Sequence, residues 1–111
     1  MIVDTSAVIA MLANEPDAHH HALAVALQPA RMSAGNYLEA GGIVADSILD
    51  PVVARRLDEV LAESDIEIEP VTRLHATLSR QAYRDFGRGS GHPANLNFGD
   101  CFAHALAVDS G

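Results

Sequence analysis

Lysine is missing altogether. All seven basic residues are arginines, they face fifteen acids, and the formal charge of the 111-residue chain is -8. Such a chain repels nucleic acid at long range, so activity on RNA or DNA needs metal ions and local arginine clusters to offset the charge. Cysteine is nearly absent too: the single Cys101 excludes an internal disulfide and fits a reducing cytoplasm. No apolar run approaches the ~20 residues that span a bilayer, so no membrane segment is expected. The opening stretch MIVDTSAVIA has no basic leader and carries Asp4, which is not the make-up of a signal peptide. What the chain has in quantity is apolar side chain, 49% of residues, enough for a core and too much for disorder. The length suits one modest domain, with no repeat or linker, so a single domain over residues 1–111 is expected.

Met1-Ile2-Val3 reads as a short buried strand that ends at Asp4 and turns into a helix through Val8, Ile9, Met11 and Leu12. A second helix is expected over residues 15–28, with Pro16 at an early position and the HHH of 19–21 on a solvated face. Arg31-Met32-Ser33 suggests a strand, and Ser33 caps a helix to about Leu49. Gly41-Gly42 inside that helix costs about 1 kcal/mol per glycine relative to alanine, which implies a close backbone approach there. Asp50-Pro51 opens a further helix with Val52, Val53, Leu57, Val60 and Leu61 on one side. DIEIEP (65–70) alternates as a half-exposed strand, and Thr72 caps the helix carrying Leu74, Leu78 and Tyr83. Residues 87–99 form a loop by composition, and a last helix is expected from Asp100 to Val108, stopped by Gly111. Helices alternating with strands predict an α/β fold with a mainly parallel sheet.

Three acids stand in unusual surroundings. Asp4 closes a strand, at the end where open parallel sheets gather ligands. Glu39 is flanked by Leu38 and Ala40, and Asp100 opens an almost wholly apolar helix. Each has an ordinary explanation, either as a helix cap or as a solvated helix acid. If the three share a pocket, however, their repulsion calls for a divalent cation. All-oxygen ligation favours Mg²⁺ or Mn²⁺. Such a centre suits phosphodiester hydrolysis, because the metal polarises the phosphate and lowers the pKa of a bound water.

The blocks MIVDTSAVIAML, NYLEAGGIV and ANLNFGDCFAHALA resemble the PIN-domain ribonucleases, and among them the VapC-type toxins of bacterial toxin–antitoxin pairs. The likeness runs through nearly the whole chain, including IEIEPVT and GRGSGHPANLNFGD. It implies a PIN-like α/β/α sandwich and a metal-dependent endoribonuclease that cleaves structured RNA, with tRNA or rRNA as substrate. It also implies Mg²⁺ or Mn²⁺ as cofactor, a VapB-type antitoxin as inhibitor, a homodimer and a cytoplasmic setting. Asp4, Glu39 and Asp100 match the family's acids in order, and Ser6 matches a hydroxyl that orders the first acid and its water. Similar proteins continue into another strand with a fourth acid or Asn nearby, whereas this sequence stops at AVDSG. The last strand is therefore expected to be missing, and Asp109 is not assigned as the fourth acid. That departure supports an alternative: a catalytically silent module that binds an antitoxin and regulates its own operon.

Arg80, Arg84 and Arg88 recur every fourth residue, either as solvated charge paired with Asp85 or as a row contacting RNA phosphates. Arg88 and Arg84 are the candidate substrate contacts. His104 is read as a packed or hydrogen-bonded core residue in preference to a ligand, Cys101 as small apolar filling, and Asp46 as a surface acid.

Overall fold

The computed structural model describes residues 1–12, 18–48 and 51–110. The helices are α1 (Thr5–Leu12), α2 (Ala18–Ala26), α3 (Ala34–Ile48), α4 (Pro51–Glu63), α5 (Arg73–Phe86) and α6 (Phe98–Asp109), and the strands are β1 (Ala30–Ser33) and β2 (Ile66–Glu69). The expected α/β class is what forms. β1 and β2 pair in parallel, with Met32 opposite Ile68, and the α3–α4 pair supplies the crossover that parallel strands require. The amino-terminal segment lies along the other side of β1. It makes one parallel bridge, Ile2 to Arg31, with Val3 N–H donating to Arg31 O at 2.8 Å and Arg31 N–H to Met1 O at 2.9 Å. The expected first strand is thus present only as a bridge, because Asp4 and Thr5 already turn into α1.

The core lies where α1, α3 and α4 close on β1 and the start of β2. Val3, Val8, Met11, Val25, Met32, Ala40, Leu57, Val60, Leu61 and Ile66 are buried there. Ile66 points inward while Ile68, at the far end of β2, stays at the surface. The stripe on α4 is narrower than its pattern implies, since Val52 is 61% exposed. Val53 lies outside the residues whose side chains are described, as do His19, His20, His21 and Asp46. The early proline at 16, Leu49, Asp50 and the stop at Gly111 fall outside the described residues too.

The expectation of a close approach at Gly41-Gly42 is corrected. Among the described residues nothing lies within 4 Å of a β-carbon built at Gly42, and at Gly41 only Leu57 comes as near as 4.0 Å. The close approaches are elsewhere. At Gly35 a β-carbon would sit 2.6 Å from Phe102 Cγ, so the first turn of α3 fits against the Phe102 ring only because it has no side chain there. The second is Gly99, against Glu39.

α5 buries an unexpected face. His75, Ser79 and Ala82 turn inward, whereas Leu74 and Tyr83 are exposed. The reason is polar pairing with α6: Ser79 Oγ donates to Cys101 O at 3.1 Å, and His75 Nε2 meets Asp109 Oδ2 at 2.8 Å. Thr72 caps α5 as expected, its hydroxyl accepting from His75 N–H at 3.1 Å. Among the described residues, no helix is long and apolar enough to cross a membrane.

Candidate active site

Where α1, α3 and α6 meet, a cleft of about 350 Å³ is lined by Asp4, Thr5, Ser6, Ile9, Asn36, Glu39, Asn97, Gly99 and Asp100. All three candidate acids line it, and so does Ser6. No basic side chain does. The acids are separated widely in sequence but share one wall system, because Asp4 precedes α1, Glu39 sits in the first half of α3, and Asp100 sits in the first turn of α6.

Each carboxylate is anchored by one oxygen. Asp4 Oδ1 accepts from Ser6 Oγ at 2.8 Å and from Ala7 N–H at 3.0 Å, so Asp4 caps α1. Glu39 Oε1 accepts a short hydrogen bond from Thr5 Oγ1. Asp100 Oδ2 accepts from Asn97 N–H at 2.9 Å. Among the described residues, no donor reaches Asp4 Oδ2, Glu39 Oε2 or Asp100 Oδ1. Three half-satisfied carboxylates around one cleft, with no cationic side chain among its lining residues, form a donor set of the kind a hard divalent cation takes. No three His, Cys, Asp or Glu side chains among the described residues stand close enough to enclose an ion by themselves. A Mg²⁺-like ion does not demand this, since it keeps several waters and binds through one or two carboxylates. The residues therefore fit such an ion held partly by water.

The position of Asp100 corrects a boundary. α6 begins at Phe98, and the cap is Asn97, whose side chain accepts from Asp100 N–H at 2.8 Å. Asp100 returns the bond to Asn97 N–H, completing a capping box, so the acid lies inside the first turn. Glu39 also differs from its sequence reading. It is half-buried, but its neighbour Leu38 is 74% exposed, so the carboxylate is held by Thr5 and not by an apolar sheath.

Sequence reasoning missed Thr5, Asn36, Asn97 and Gly99. Asn36 is only 1% exposed. Its Nδ2 donates to Gly99 O at 2.8 Å and to Thr5 Oγ1 at 3.2 Å, which ties α1, α3 and α6 together. Its Oδ1 is buried without a partner among the described residues, a penalty of roughly 1–3 kcal/mol. A β-carbon at Gly99 would overlap the Glu39 carboxylate, so a side chain there displaces Glu39 from its place in the cleft. One signal was available in the sequence: Asn36 precedes Glu39 by three residues and therefore shares its helix face.

The remaining candidates separate. Cys101 is buried, and burial, with the nearby Asp100 charge second, pushes its thiol pKa up, which suits filling and not nucleophilic chemistry. His104 is exposed and meets Phe86 edge-on at 6.4 Å, so it is not a core residue. Asp109 is the hydrogen-bond partner of His75 at the opposite end of α6. Arg84 and Arg88 do not line the cleft. Arg84 pairs with Asp85 at 3.0 Å, and its guanidinium holds the Asp85 carboxyl below its ordinary pKa. Arg88 N–H donates to Leu96 O at 3.1 Å, which sets the Arg88 backbone beside Leu96, the residue before Asn97.

Comparison with known proteins agrees with this geometry. The PIN domain family model matches residues 1–111. Ribonuclease VapC28 of Mycobacterium tuberculosis and VapC ribonuclease Mb0625 of Mycobacterium bovis are each 58% identical over 110 residues, which is 98% of this chain and 82% of theirs. Ribonuclease VapC of Mycolicibacterium smegmatis is 44% identical over 112 residues, covering 100% of this chain and 85% of that protein. The chain belongs to the PIN-domain family, among the relatives of the VapC ribonucleases.

Proposed function

We propose that this protein is a metal-dependent endoribonuclease toxin of the VapC type, working as a single PIN-like domain. The observation that carries the reading is the acidic cleft, in which Asp4, Glu39 and Asp100 each keep one oxygen without a donor among the described residues. In this reading the three acids are the catalytic and metal-holding residues. Mg²⁺ or Mn²⁺, when bound, supplies Lewis acidity toward the phosphate and makes a bound water a competent nucleophile at neutral pH. The protein's part is orientation. Ser6 and the α1 backbone fix Asp4, Thr5 fixes Glu39, and the capping box fixes Asp100, and all three residues line one cleft.

An acidic wall alone cannot hold RNA. Arg88, on the loop that runs back to Asn97, is the proposed phosphate contact, with Arg84 available when it leaves Asp85. The relatives' names support RNA as substrate, with tRNA or rRNA the proposed class, and a VapB-type antitoxin as partner. Leu38 and Phe98, 74% and 70% exposed, adjoin Glu39 and Gly99 in sequence and offer the antitoxin apolar purchase beside the cleft. A homodimer and a cytoplasmic setting complete the proposal. A second reading, a catalytically silent antitoxin-binding module, draws on the fact that no three acids enclose an ion unaided among the described residues.

One experiment separates the two. The purified protein is incubated with total RNA and Mn²⁺, with EDTA added in one arm and Asp100→Asn in another. Discrete fragments seen only in the wild-type Mn²⁺ arm support the nuclease. Equal cleavage by Asp100→Asn overturns the site assignment, and no cleavage in any arm favours the binding module.

A further inference from the structure

We propose that Asn36 is a positioning residue that sets the Glu39 carboxylate through the Thr5 hydroxyl, and so raises the cation affinity of the cleft. The proposal rests on the metal-dependent reading above. Its argument is a matter of counting hydrogens. The Asn36 amide has two N–H groups, and both are used, one on Gly99 O at 2.8 Å and one on Thr5 Oγ1 at 3.2 Å. The amide cannot be turned over, because Oδ1 would then face the Gly99 carbonyl, acceptor against acceptor.

With its lone pair occupied by Asn36, the Thr5 hydroxyl has a single proton to give. Two acceptors are in reach, the Asn36 carbonyl at 3.3 Å and Glu39 Oε1. The carboxylate is the charged and stronger acceptor and takes the proton, so the order runs from Asn36 N–H to Thr5 O–H to the Glu39 carboxylate. Glu39 is thereby held as an acceptor by one oxygen while the other stays without a donor. Meanwhile the bond to Gly99 O fixes the first turn of α6, the turn that carries Asp100. One buried side chain thus sets the two acids contributed by α3 and α6.

Burial of Asn36 has a cost. Its Oδ1 has no partner among the described residues, while its two N–H groups serve Gly99 O and Thr5 Oγ1. A group that costs stability while orienting a ligand's ligand is typical of metal sites, where removing such a partner weakens metal binding about 10–100-fold.

The test uses Asn36→Leu, Asn36→Ala and Thr5→Val, with two readouts on each folded variant. The first is Mn²⁺ affinity by titration. The second is the ¹³C resonance of the Glu39 carboxylate carbon in the metal-free protein, which reports its hydrogen bonding. Expected are a 10–100-fold loss of Mn²⁺ affinity and a displaced Glu39 resonance, with a cooperative thermal transition retained. Adding Asn36→Leu to Thr5→Val should weaken Mn²⁺ by less than the product of the two single losses, because both share the bond to Glu39 while only Asn36 also holds Gly99 O. Wild-type affinity with an unmoved Glu39 resonance overturns the proposal, as do single effects that multiply in the double variant. If the wild type binds no Mn²⁺, the metal-dependent reading falls, and the Glu39 resonance alone decides whether Asn36 positions it. Asn36→Ala serves where the larger leucine prevents folding.

Discussion

α6 carries an acid near each end, and the two are treated in opposite ways. Asp109, in the last turn, meets the buried His75 ring at 2.8 Å. Asp100, in the first turn, meets only a backbone N–H with one oxygen and leaves the other toward the cleft. Helix electrostatics sharpen the contrast. A carboxylate is favoured at a helix N-terminus and disfavoured at a C-terminus, so Asp109 is the one that needs a partner. It has one. Asp100 gains from the dipole and stays half-satisfied, open to a ligand. The lesson is that an acid's partners, more than its sequence setting, separate a structural carboxylate from a functional one.

Exchange of the two acids should split their effects most widely. Asp100→Asn is expected to cut Mn²⁺-dependent RNA cleavage at least about a hundredfold, equivalent to about 3 kcal/mol of barrier, with little change in thermal stability. Asp109→Ala should leave cleavage intact. Next in size is Gly99→Ala, whose new β-carbon overlaps the Glu39 carboxylate. Overpacking of this kind costs about 1–3 kcal/mol. Glu39 must move, so urea titration should register the loss and Mn²⁺ affinity should fall with it. Smaller again is the effect of Asp109→Ala on stability, about 0.5–1 kcal/mol by urea titration, because the Asp109 side chain is 43% exposed and solvent screens the pair.

The smallest effect concerns Cys101. Its pKa is raised by burial, with Asp100 adding to the shift, so the folded state favours the neutral thiol. That contribution is fully present below the thiol's ordinary pKa of 9.0 and is lost as pH rises through the raised folded value. Cysteine alkylation should therefore be slow in the folded protein at pH 8 and fast in urea. Fast labelling of the folded protein would show an accessible thiolate.

Much of this was legible beforehand, for reasons that can be named. Thr72 and Asp4 cap helices because short polar side chains before an apolar periodic run have few other roles. β2 was readable from Ile66 and Ile68 alternating with acids, and β1 only as a short piece between two helices. The acids were readable because a carboxylate at a strand or helix end bordering apolar sequence calls for compensation. The inward face of α5 was not readable. That face is His75 and Ser79, and their burial depends on Asp109 and the Cys101 carbonyl, residues of another helix. Hydrophobic periodicity carries no information about a polar partner supplied from elsewhere. Asn36 and Gly99 escaped for the same reason: each has its meaning only across α1, α3 and α6. The pair Gly41-Gly42 shows the converse, a local signal with no tertiary counterpart among the described residues.

The cleft draws its acids from residue 4, residue 39 and residue 100. A ribosome adds roughly 5–20 residues per second, so the first acid emerges on the order of 5–20 s before the last is made. Throughout that interval the nascent chain holds one or two thirds of its acids and cannot assemble the site. The interdependence of α1, α3 and α6 acts as a delay: the wall around Glu39 closes only when the Gly99 carbonyl arrives to receive the Asn36 amide. An inhibitor of the kind proposed for this cleft would therefore have a head start measured in seconds.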